Sequence, residues 1–440
     1  MLSCFPNSKS QIRVSFAAQD WGWNRVRLLA SILPYPMKRF SSALQRAMPL
    51  PTALRTSAAF SLALALAAPG FVLAPAQAQA QDTKAAATNA AAQRPRPAAR
   101  GPLVSPEIGT DGSVTFRYSA PKATSVKVSG QFGPETALAK DVGGIWTVTL
   151  PKVKPGVHEY HFVVDGLSVI DAGNSWVKPQ RWPNTSILHI PSNPPAPWDL
   201  QDIPHGTLHE HVYKSKALGG WRRIVVYTPP STGKLTKLPV LYLSHGYSDN
   251  EASWTVHGKA HWILDSLIAS GKAKPMIVVM PDAHALAPGS TPFDEYGPAN
   301  SAALCSELVQ DILPLVEASY PVNTKPSARA FAGLSMGGHH ALTVALNHHE
   351  RFNWIGAFSS APPPNPSVSA GLDKPSAVNS DLKLFWVACG TKDFLYQRNK
   401  EFHAVLEGKG IKHQFVETEG DHSWPIWRNY LVEFTPKLFR

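Results

Sequence analysis

The stretch "RAFAGLSMGGHH", residues 329–340, joins a short apolar run to a Gly-x-Ser-x-Gly turn and a helix-forming segment. The run is typical of a buried strand, and the residues after the turn are typical of a helix. Because Gly333 and Gly337 carry no side chains that would clash across such a turn, Ser335 would stand above the end of the strand. The pattern also fits an ordinary glycine-rich helix start. A nucleophilic serine further requires a base, an acid and oxyanion donors, which the rest of the chain must supply.

The residues around this turn alternate between apolar runs and helical patterns. "PVLYLSHG" (239–246) and "PMIVVMPD" (275–282) are continuous apolar runs, as expected of strands that are covered on both faces. Residues 301–320 have the period of an amphipathic helix, with a kink expected at Pro314. This alternation predicts a doubly wound α/β domain with a mostly parallel sheet over residues 206–440.

The chain upstream of this domain has a different character. Residues 101–190 contain short alternating runs rich in Val, Tyr, Phe and Thr, which predict a small all-β sandwich. Residues 191–205 are proline-rich and predict a linker between the two domains. Residues 81–100 are rich in Ala, Pro, Arg and Gln and predict a flexible linker.

Residues 1–80 are predicted to be a presequence ending in a signal peptide. A basic residue precedes the apolar segment 58–73, and cleavage is expected near Ala78 or Ala80. The apolar segment is too short, and too interrupted by Pro-Gly, for a comfortable bilayer span. Residues 1–47 lack a clear pattern, and a signal peptide counted from Met48 has an ordinary length. We therefore expect that the translation start at Met1 is placed too far upstream. We therefore expect export to the periplasm or the medium, without a membrane-spanning helix.

The charge of the chain is concentrated at its amino-terminal end. The 440 residues carry +11, of which residues 1–80 hold +7, residues 81–100 hold +3 and residues 101–440 only +1. A nearly neutral folded part argues against a nucleic-acid partner. The three cysteines are too few for a disulfide framework or a metal cluster, so Cys305 and Cys389 are expected to be buried thiols. We expect neither a metal nor another cofactor.

Position along the chain selects the base from seventeen histidines. His422 follows the last predicted strand in "TEGDHSWPIW" (418–427), where a loop reaches back over the sheet edge. His339 and His340 are closer to Ser335 in sequence, but they lie on the helix after the turn. We expect them at helix-surface or sheet-packing positions.

Two aspartates compete to orient this base. Asp393 follows the penultimate predicted strand in "LFWVACGTKDFL", which gives the order Ser…Asp…His along the chain. Asp421 adjoins His422, but neighbouring side chains in an extended loop diverge, so Asp393 is favoured. The oxyanion donors are predicted to be the backbone N–H groups of Met336 and of Tyr247, which follows a buried strand in "YLSHGYSDN".

The segments "FAGLSMGG", "CGTKDFL" and "GDHSWPIWRNYLVEF" resemble the feruloyl and acetylxylan esterase family, which includes siderophore and esterase D-like hydrolases. The resemblance covers about residues 205–440 and implies an α/β-hydrolase fold. It makes Ser335 the nucleophile, Asp393 the acid and His422 the base. It implies a serine carboxylic-ester hydrolase that releases feruloyl or acetyl groups from plant-cell-wall polysaccharide such as xylan, and the predicted signal peptide indicates that this enzyme is exported.

The region before this domain is similar to early-set immunoglobulin-like and glycogen-binding domains, through "EYHFVVDG" (159–166). Trp176 and Trp182 lie in a predicted loop and could stack on a sugar, whereas Trp146 and Tyr160 fit core positions in strands. An inert packing role for the whole domain is the alternative to carbohydrate contact.

The sequence leaves other functions open. They are an enterochelin-type siderophore esterase, an acyltransferase that uses the same acyl-enzyme, and a sugar-binding protein with a vestigial hydrolase fold. The complete Ser, Asp and His set argues against the last of these. Trp254, His284 and Trp424 lie in or next to predicted loops and are candidates for substrate contact.

Overall fold

The structure is a computed structural model that describes residues 103–230, 236–287, 289–363 and 369–440. These described residues lie within one compact unit. The predicted signal peptide and the flexible linker lie outside them. In the described part of the chain, no helix combines the length and the apolar character that a membrane crossing requires.

The amino-terminal β region consists of two antiparallel sheets. Its strands are β1 (Glu107–Ile108), β2 (Val114–Ser119), β3 (Val126–Gly130), β4 (Gly133–Ala137), β5 (Ala139–Lys140), β6 (Ile145–Leu150), β7 (Gly156–Val164), β8 (Leu167–Val169) and β9 (Ser186–Ile190). One sheet has the order β1-β2-β6-β5 and the other β4-β3-β7-β8, with β9 paired to β7. Alternate residues of β2, β3 and β7 point inwards, so the two sheets share a core.

This core includes both aromatic residues that the sequence placed there, since Trp146 and Tyr160 are buried. Trp176 and Trp182 are exposed. The predicted all-β character of this region is therefore confirmed. Its assignment to the immunoglobulin-like class and the exact domain boundaries stay predictions.

The second region is built on an eight-stranded sheet. Its strands are β10 (Thr207–Lys214), β11 (Trp221–Thr228), β12 (Val240–Ser244), β13 (Ile277–Pro281), β14 (Arg329–Leu334), β15 (Trp354–Phe358), β16 (Leu384–Gly390) and β17 (Gln414–Thr418). They follow the order β10-β11-β13-β12-β14-β15-β16-β17. Strands β10 and β11, and β11 and β13, pair antiparallel, whereas the other pairs are parallel. The predicted mostly parallel sheet is confirmed.

Helices cover both faces of this sheet. They are α1 (Ser253–Val256), α2 (Ala260–Ala269), α3 (Pro292–Glu295), α4 (Pro298–Glu307), α5 (Leu313–Ser319), α6 (Met336–Asn347), α7 (Pro375–Asp381), α8 (Tyr396–Gly408) and α9 (Trp424–Phe434). In β12, Val240 and Tyr242 pack towards α4, α5, α6 and α8, whereas Leu241 and Leu243 pack towards α2 and α9. Because both faces are buried, the central strands are apolar throughout, which is the pattern that the sequence showed.

Two details differ from the sequence-based expectation. The predicted helix 301–320 is interrupted by a wider π turn at Leu308–Ile312, directly before α5. Pro314 lacks an N–H and its ring would clash with an α-helical carbonyl, and a π turn relieves this conflict. Strand β10 was not predicted, because its half-exposed, histidine-containing sequence lacks the apolar run of the central strands.

Candidate active site

Ser335 occupies a strained turn between β14 and α6. Its φ is 53° and its ψ is −111°, a conformation that a side-chain-bearing residue rarely adopts. A Cβ at Gly333 would lie 2.5 Å from the backbone of Gly337, and a Cβ at Gly337 would lie 2.6 Å from the carbonyl oxygens of Ser244 and His245. Only glycine fits at both positions, so the sequence of the turn fixes the direction of the Ser335 side chain.

His422 lies between Ser335 and Asp393. Its Nδ1 is 2.8 Å from Asp393 Oδ2, and its Nε2 is 3.0 Å from Ser335 Oγ. Because a carboxylate only accepts hydrogen bonds, Nδ1–H donates to Asp393 and Nε2 is free to accept from the serine hydroxyl. The Asp393 side chain has no exposed surface, and its Oδ1 accepts a hydrogen bond from Leu395 N–H at 2.8 Å. The three predicted triad residues are thus brought together in one hydrogen-bonded series.

The loops that carry Asp393 and His422 are held against each other. They follow the neighbouring parallel strands β16 and β17, and Lys392 N–H donates to Gly420 O at 2.9 Å. Asp421, the rival acid, accepts instead from the hydroxyl of Ser423 at 2.5 Å. The side chain of Asp421 is therefore engaged away from the imidazole.

The loop after β12 approaches Ser335 from the other side. A Cβ at Gly246 would lie 2.6 Å from Leu334 Cδ1 and 3.4 Å from Ser335 Cβ, which shows how closely the backbone passes. Among the hydrogen bonds that backbone groups of loops, turns and caps make in the described part of the chain, none is donated by the N–H of Tyr247 or of Met336. Met336 is also the first residue of α6, where an N–H has no partner within the helix. The two predicted oxyanion donors therefore belong to segments that lie beside the serine, and their role stays a proposal.

Sequence reasoning missed a tyrosine at this site. The Tyr296 hydroxyl lies 3.1 Å from Ser335 Oγ, and the Tyr296 ring stacks on Tyr247 with centroids 6.1 Å apart. Because the Ser335 proton points to His422, the Tyr296 O–H donates to Ser335 Oγ. Burial raises the pKa of Tyr296, so its hydroxyl stays protonated at neutral pH. The short segment around Tyr296 has neither a period nor a motif, so no sequence signal identified it.

A cavity of about 920 Å³ opens beside the triad, between α4, α6 and α8. Tyr296 and Ala361, both next to Ser335, form part of its wall, together with Phe394, whose ring lies 4.4 Å from that of His422. His339 also lines the cavity, and its Nδ1–H donates to Ala361 O at 2.8 Å. The expectation of a helix-surface or sheet-packing position therefore missed the place of His339 in this wall.

His340 occupies a different place from its neighbour. Its side chain is buried, and its Nε2 lies 3.2 Å from the amide nitrogen of Asn300. This interior position against Ser244 of β12 fits the sheet-packing part of the expectation for the two histidines.

The three candidate substrate contacts do not line this cavity. Trp254 and Trp424 are 1% and 2% exposed and pack against each other in the core between the sheet and α2 and α9, on the opposite face from the cavity. The indole N–H of Trp254 donates to Ser244 O at 3.0 Å, which satisfies it internally. His284 is also buried, 3.0 Å from Glu295 and behind the Tyr247 ring. Burial lowers the pKa of His284 to about 3, so it is neutral at physiological pH.

The buried cysteines and the acidic and imidazole groups do not suggest a metal centre. Cys305 and Cys389 are free and buried, as expected. Within residues 103–440, leaving aside the short undescribed segments, no group of three or more His, Cys, Asp or Glu side chains is arranged to hold a metal ion.

Comparison with known proteins places this site in a family. Residues 215–438 match the model of a family described as "Putative esterase". The chain is 34% identical over 346 residues to the endo-1,4-beta-xylanase/feruloyl esterase of Xylanibacter ruminicola, covering 76% of this chain and 46% of that protein. It is 24% identical over 228 residues to the acetyl esterase of Caldicellulosiruptor saccharolyticus, covering 44% of this chain and 81% of that protein. The chain thus spans about half the length of the first relative.

Among solved structures, the chain resembles the enterobactin esterase FES from Shigella flexneri. The TM-score is 0.55 at 21% sequence identity, and the match covers 74% of this chain and 93% of the other. At this identity the likeness shows the fold alone. With the order and direction of the strands, it confirms the α/β-hydrolase fold.

Proposed function

The chain belongs to the esterase family, and on this premise we propose that it is an exported serine carboxylic-ester hydrolase that releases feruloyl or acetyl groups from plant-cell-wall polysaccharide such as xylan. The observation that carries the proposal is the hydrogen-bonded series of Ser335, His422 and Asp393 beside a large cavity. The family supports ester hydrolysis. The name of the first relative supports feruloyl esters on xylan as substrates, and the name of the second supports acetyl esters.

Acylation begins with proton transfer from Ser335 to His422. Ser335 Oγ attacks the ester carbonyl as Nε2 takes its proton, and Asp393 stabilises the imidazolium through Nδ1–H. The carbonyl oxygen becomes an oxyanion, which the N–H groups of Met336 and Tyr247 would bind. His422 then returns the proton to the departing alcohol oxygen, and an acyl-enzyme on Ser335 remains.

Deacylation repeats these steps with water as the nucleophile. His422 takes a proton from a water molecule that attacks the acyl carbonyl, and the same N–H groups hold the second oxyanion. Collapse of this intermediate breaks the bond to Ser335 Oγ, which recovers its proton from His422. The carboxylic acid leaves, and no cofactor is consumed.

The cavity has room for an acyl group larger than a short alkyl chain. Its volume of about 920 Å³ exceeds the needs of an acetyl group, and Tyr296 and Phe394 offer aromatic surfaces near the serine. These features favour a feruloyl group over acetate as the preferred acyl group.

Two further parts of the proposal rest on the sequence. Export rests on the predicted signal peptide, which lies outside the described residues. Carbohydrate contact by the amino-terminal β region rests on Trp176 and Trp182, which are 47% and 62% exposed. A partly exposed indole on a surface loop is suited to stacking on a sugar ring.

Hydrolysis of a substrate panel tests the proposal. The full chain is assayed with methyl ferulate, acetylated xylan and ferric enterobactin, and Ser335→Ala is expected to lower turnover of the accepted ester by about 10⁶-fold. Ser270→Ala is the matched control, because Ser270 is exposed at the end of α2. Wild-type turnover in Ser335→Ala would contradict the assignment. A siderophore esterase, the weaker alternative, would hydrolyse ferric enterobactin in preference to methyl ferulate.

A further inference from the structure

A loop of the amino-terminal β region reaches the active-site loop after β12. This bridging loop, residues 177–185, lies between β8 and β9. Pro179 O accepts a hydrogen bond from Ser253 Oγ at 2.7 Å, and Gln180 forms an antiparallel bridge with Asp249. The backbone of the amino-terminal β region therefore holds Asp249 and Ser253, which follow Tyr247 in the chain.

Arg181 makes the contact that lies nearest to the site. Its N–H donates to Ser248 O at 2.7 Å, and Ser248 directly follows Tyr247, the proposed oxyanion donor. Ser248 has a φ of 69°, which costs energy for a residue other than glycine. A hydrogen bond on its carbonyl oxygen therefore holds a strained peptide in place.

The side chain of Arg181 reaches a second active-site segment. Its Nη1 lies 3.0 Å from Oε1 of Glu295, whose side chain has no exposed surface. Burial raises the pKa of Glu295, and the Arg181 charge opposes this effect. His284 also faces Glu295, but burial lowers the pKa of His284 to about 3, so at neutral pH Arg181 supplies the positive charge in direct contact with Glu295, and His245 acts on it from farther away. Glu295 directly precedes Tyr296, whose hydroxyl contacts Ser335.

The geometry assigns Arg181 as a positioning residue for the tyrosine pair at the nucleophile. Its main chain holds the residue after Tyr247 and its side chain holds the residue before Tyr296, and these two rings stack beside Ser335. The inference rests on the proposed esterase function. It makes the amino-terminal β region a part of the catalytic unit, independently of any contact with carbohydrate.

Loss of the Arg181 side chain is expected to act on turnover more than on binding. Glu295 would lose its charged partner while still buried, and the segment carrying Tyr296 would shift to relieve this. Displacements of about 1 Å near a reacting group can cost about 10²-fold in rate. The cavity wall away from Tyr296 would not change, so substrate affinity would be largely preserved.

Steady-state kinetics of Arg181→Ala with methyl ferulate test the inference. The concentration of competent sites is measured by titration with a phosphonate that modifies the serine. Dividing the rate by this concentration gives a kcat that a loss of folded protein does not lower. We expect kcat per titrated site to fall about 10- to 100-fold, KM to change less than about threefold, and affinity for a boronic-acid transition-state analogue to fall in parallel with kcat/KM.

Three companion variants separate positioning from general damage. Arg181→Lys is expected to recover part of kcat, because it restores a positive charge near Glu295. Adding Glu295→Gln to Arg181→Ala is expected to raise kcat above that of Arg181→Ala, since the buried carboxylate no longer lacks a partner. Lys127→Ala removes an ion pair with Glu135 within the same β region, between β3 and β4, and should leave kcat unchanged.

The outcomes distinguish this inference from the proposed function. If wild type and Lys127→Ala hydrolyse the ester and Arg181→Ala keeps the wild-type kcat per titrated site, the positioning role is wrong and the esterase assignment stands. The positioning role is equally wrong if only KM changes. If the wild type hydrolyses no ester, or Ser335→Ala remains active, the proposed function itself fails.

Discussion

At the carboxyl edge of the sheet, Asp393 has no exposed side-chain surface, and both of its oxygens accept hydrogen bonds. Between the β region and the sheet, Lys259 is equally buried, but its Nζ has no hydrogen-bond partner among the described residues. It lies 3.8 Å from the ring centroid of Trp176 and 4.8 Å from that of Trp262. Both Asp393 and Lys259 are buried ionisable side chains, but only Asp393 has hydrogen-bond partners among the described residues.

The surroundings of Lys259 extend this contrast. His257 is fully buried with neither ring nitrogen hydrogen-bonded within the described residues, and Arg428 is buried with its Nε unpaired there. Burial, with the Arg428 charge, lowers the pKa of Lys259 to about 7. Buried groups without partners destabilise the fold, whereas paired ones hold a geometry. We therefore expect changes at the triad to affect rate, and replacement of the unpaired Lys259 to affect stability.

Among variants that keep the Ser335 nucleophile, the largest effect should come from Asp393→Asn. An amide would donate to Nδ1 of His422 and so favour the tautomer with a proton on Nε2, which cannot accept from Ser335. We expect kcat to fall about 10⁴-fold. Circular dichroism and thermal unfolding should show a native fold. Asp421→Asn is the matched control, and an equal loss in that variant would contradict the assignment of the acid.

A smaller effect on rate is expected from Tyr296→Phe. The hydrogen bond from Tyr296 to Ser335 Oγ strengthens as the serine proton leaves, because bonds to charged acceptors are about twice as strong. Losing it should lower kcat about five- to tenfold with little change in KM. Tyr320→Phe removes a hydroxyl that pairs with His211 at β10 and serves as the control. An unchanged kcat in Tyr296→Phe would show that the hydroxyl does not act on the nucleophile.

Lys259→Met is expected to have the smallest effect on rate and to raise the stability of the fold instead. Between pH 7 and the ordinary lysine pKa of 10.5, the unfolded state binds more protons at this residue, so wild-type stability rises with pH across this window. The Met variant lacks this rise and should be more stable at pH 7 by on the order of 1–3 kcal/mol, a margin reduced by the favourable contact of the cation with the two indoles. Esterase turnover should change less than about twofold.

Urea unfolding at pH 7, 8.5 and 10 measures this difference. The advantage of Lys259→Met over wild type should shrink towards pH 10, whereas the exposed Lys127→Met should show no such trend. If Lys259→Met is less stable than wild type at every pH, the expectation that burial of the unpaired Lys259 destabilises the fold is wrong.

The sequence predicted the elements that repeat a strong pattern. The apolar runs located β12 and β13, and the parallel strands carried Asp393 and His422 to one edge because each follows the end of its strand. The glycines around Ser335 predicted its tight turn, which the backbone requires at two close contacts. These signals are local, so one sequence contains them in full.

Features that depend on distant packing escaped prediction. Trp254 and Trp424 stand near active-site loops in the sequence, yet their rings meet each other beneath the sheet. Tyr296 and Arg181 reach the site from segments without a period, since Arg181 belongs to the other region. The orientation of such side chains follows from the surfaces that meet in the fold, which spacing along the chain does not encode.

Covalent labelling tests the central claim most directly. The full chain is incubated with a fluorophosphonate, and the modified peptide is located by mass spectrometry in wild type and in His422→Ala. We predict one phosphonyl group on Ser335, with labelling at least about 10³-fold slower in His422→Ala, because the imidazole is the base that activates the hydroxyl. Labelling of a different serine, or equal rates in the two proteins, would contradict this claim.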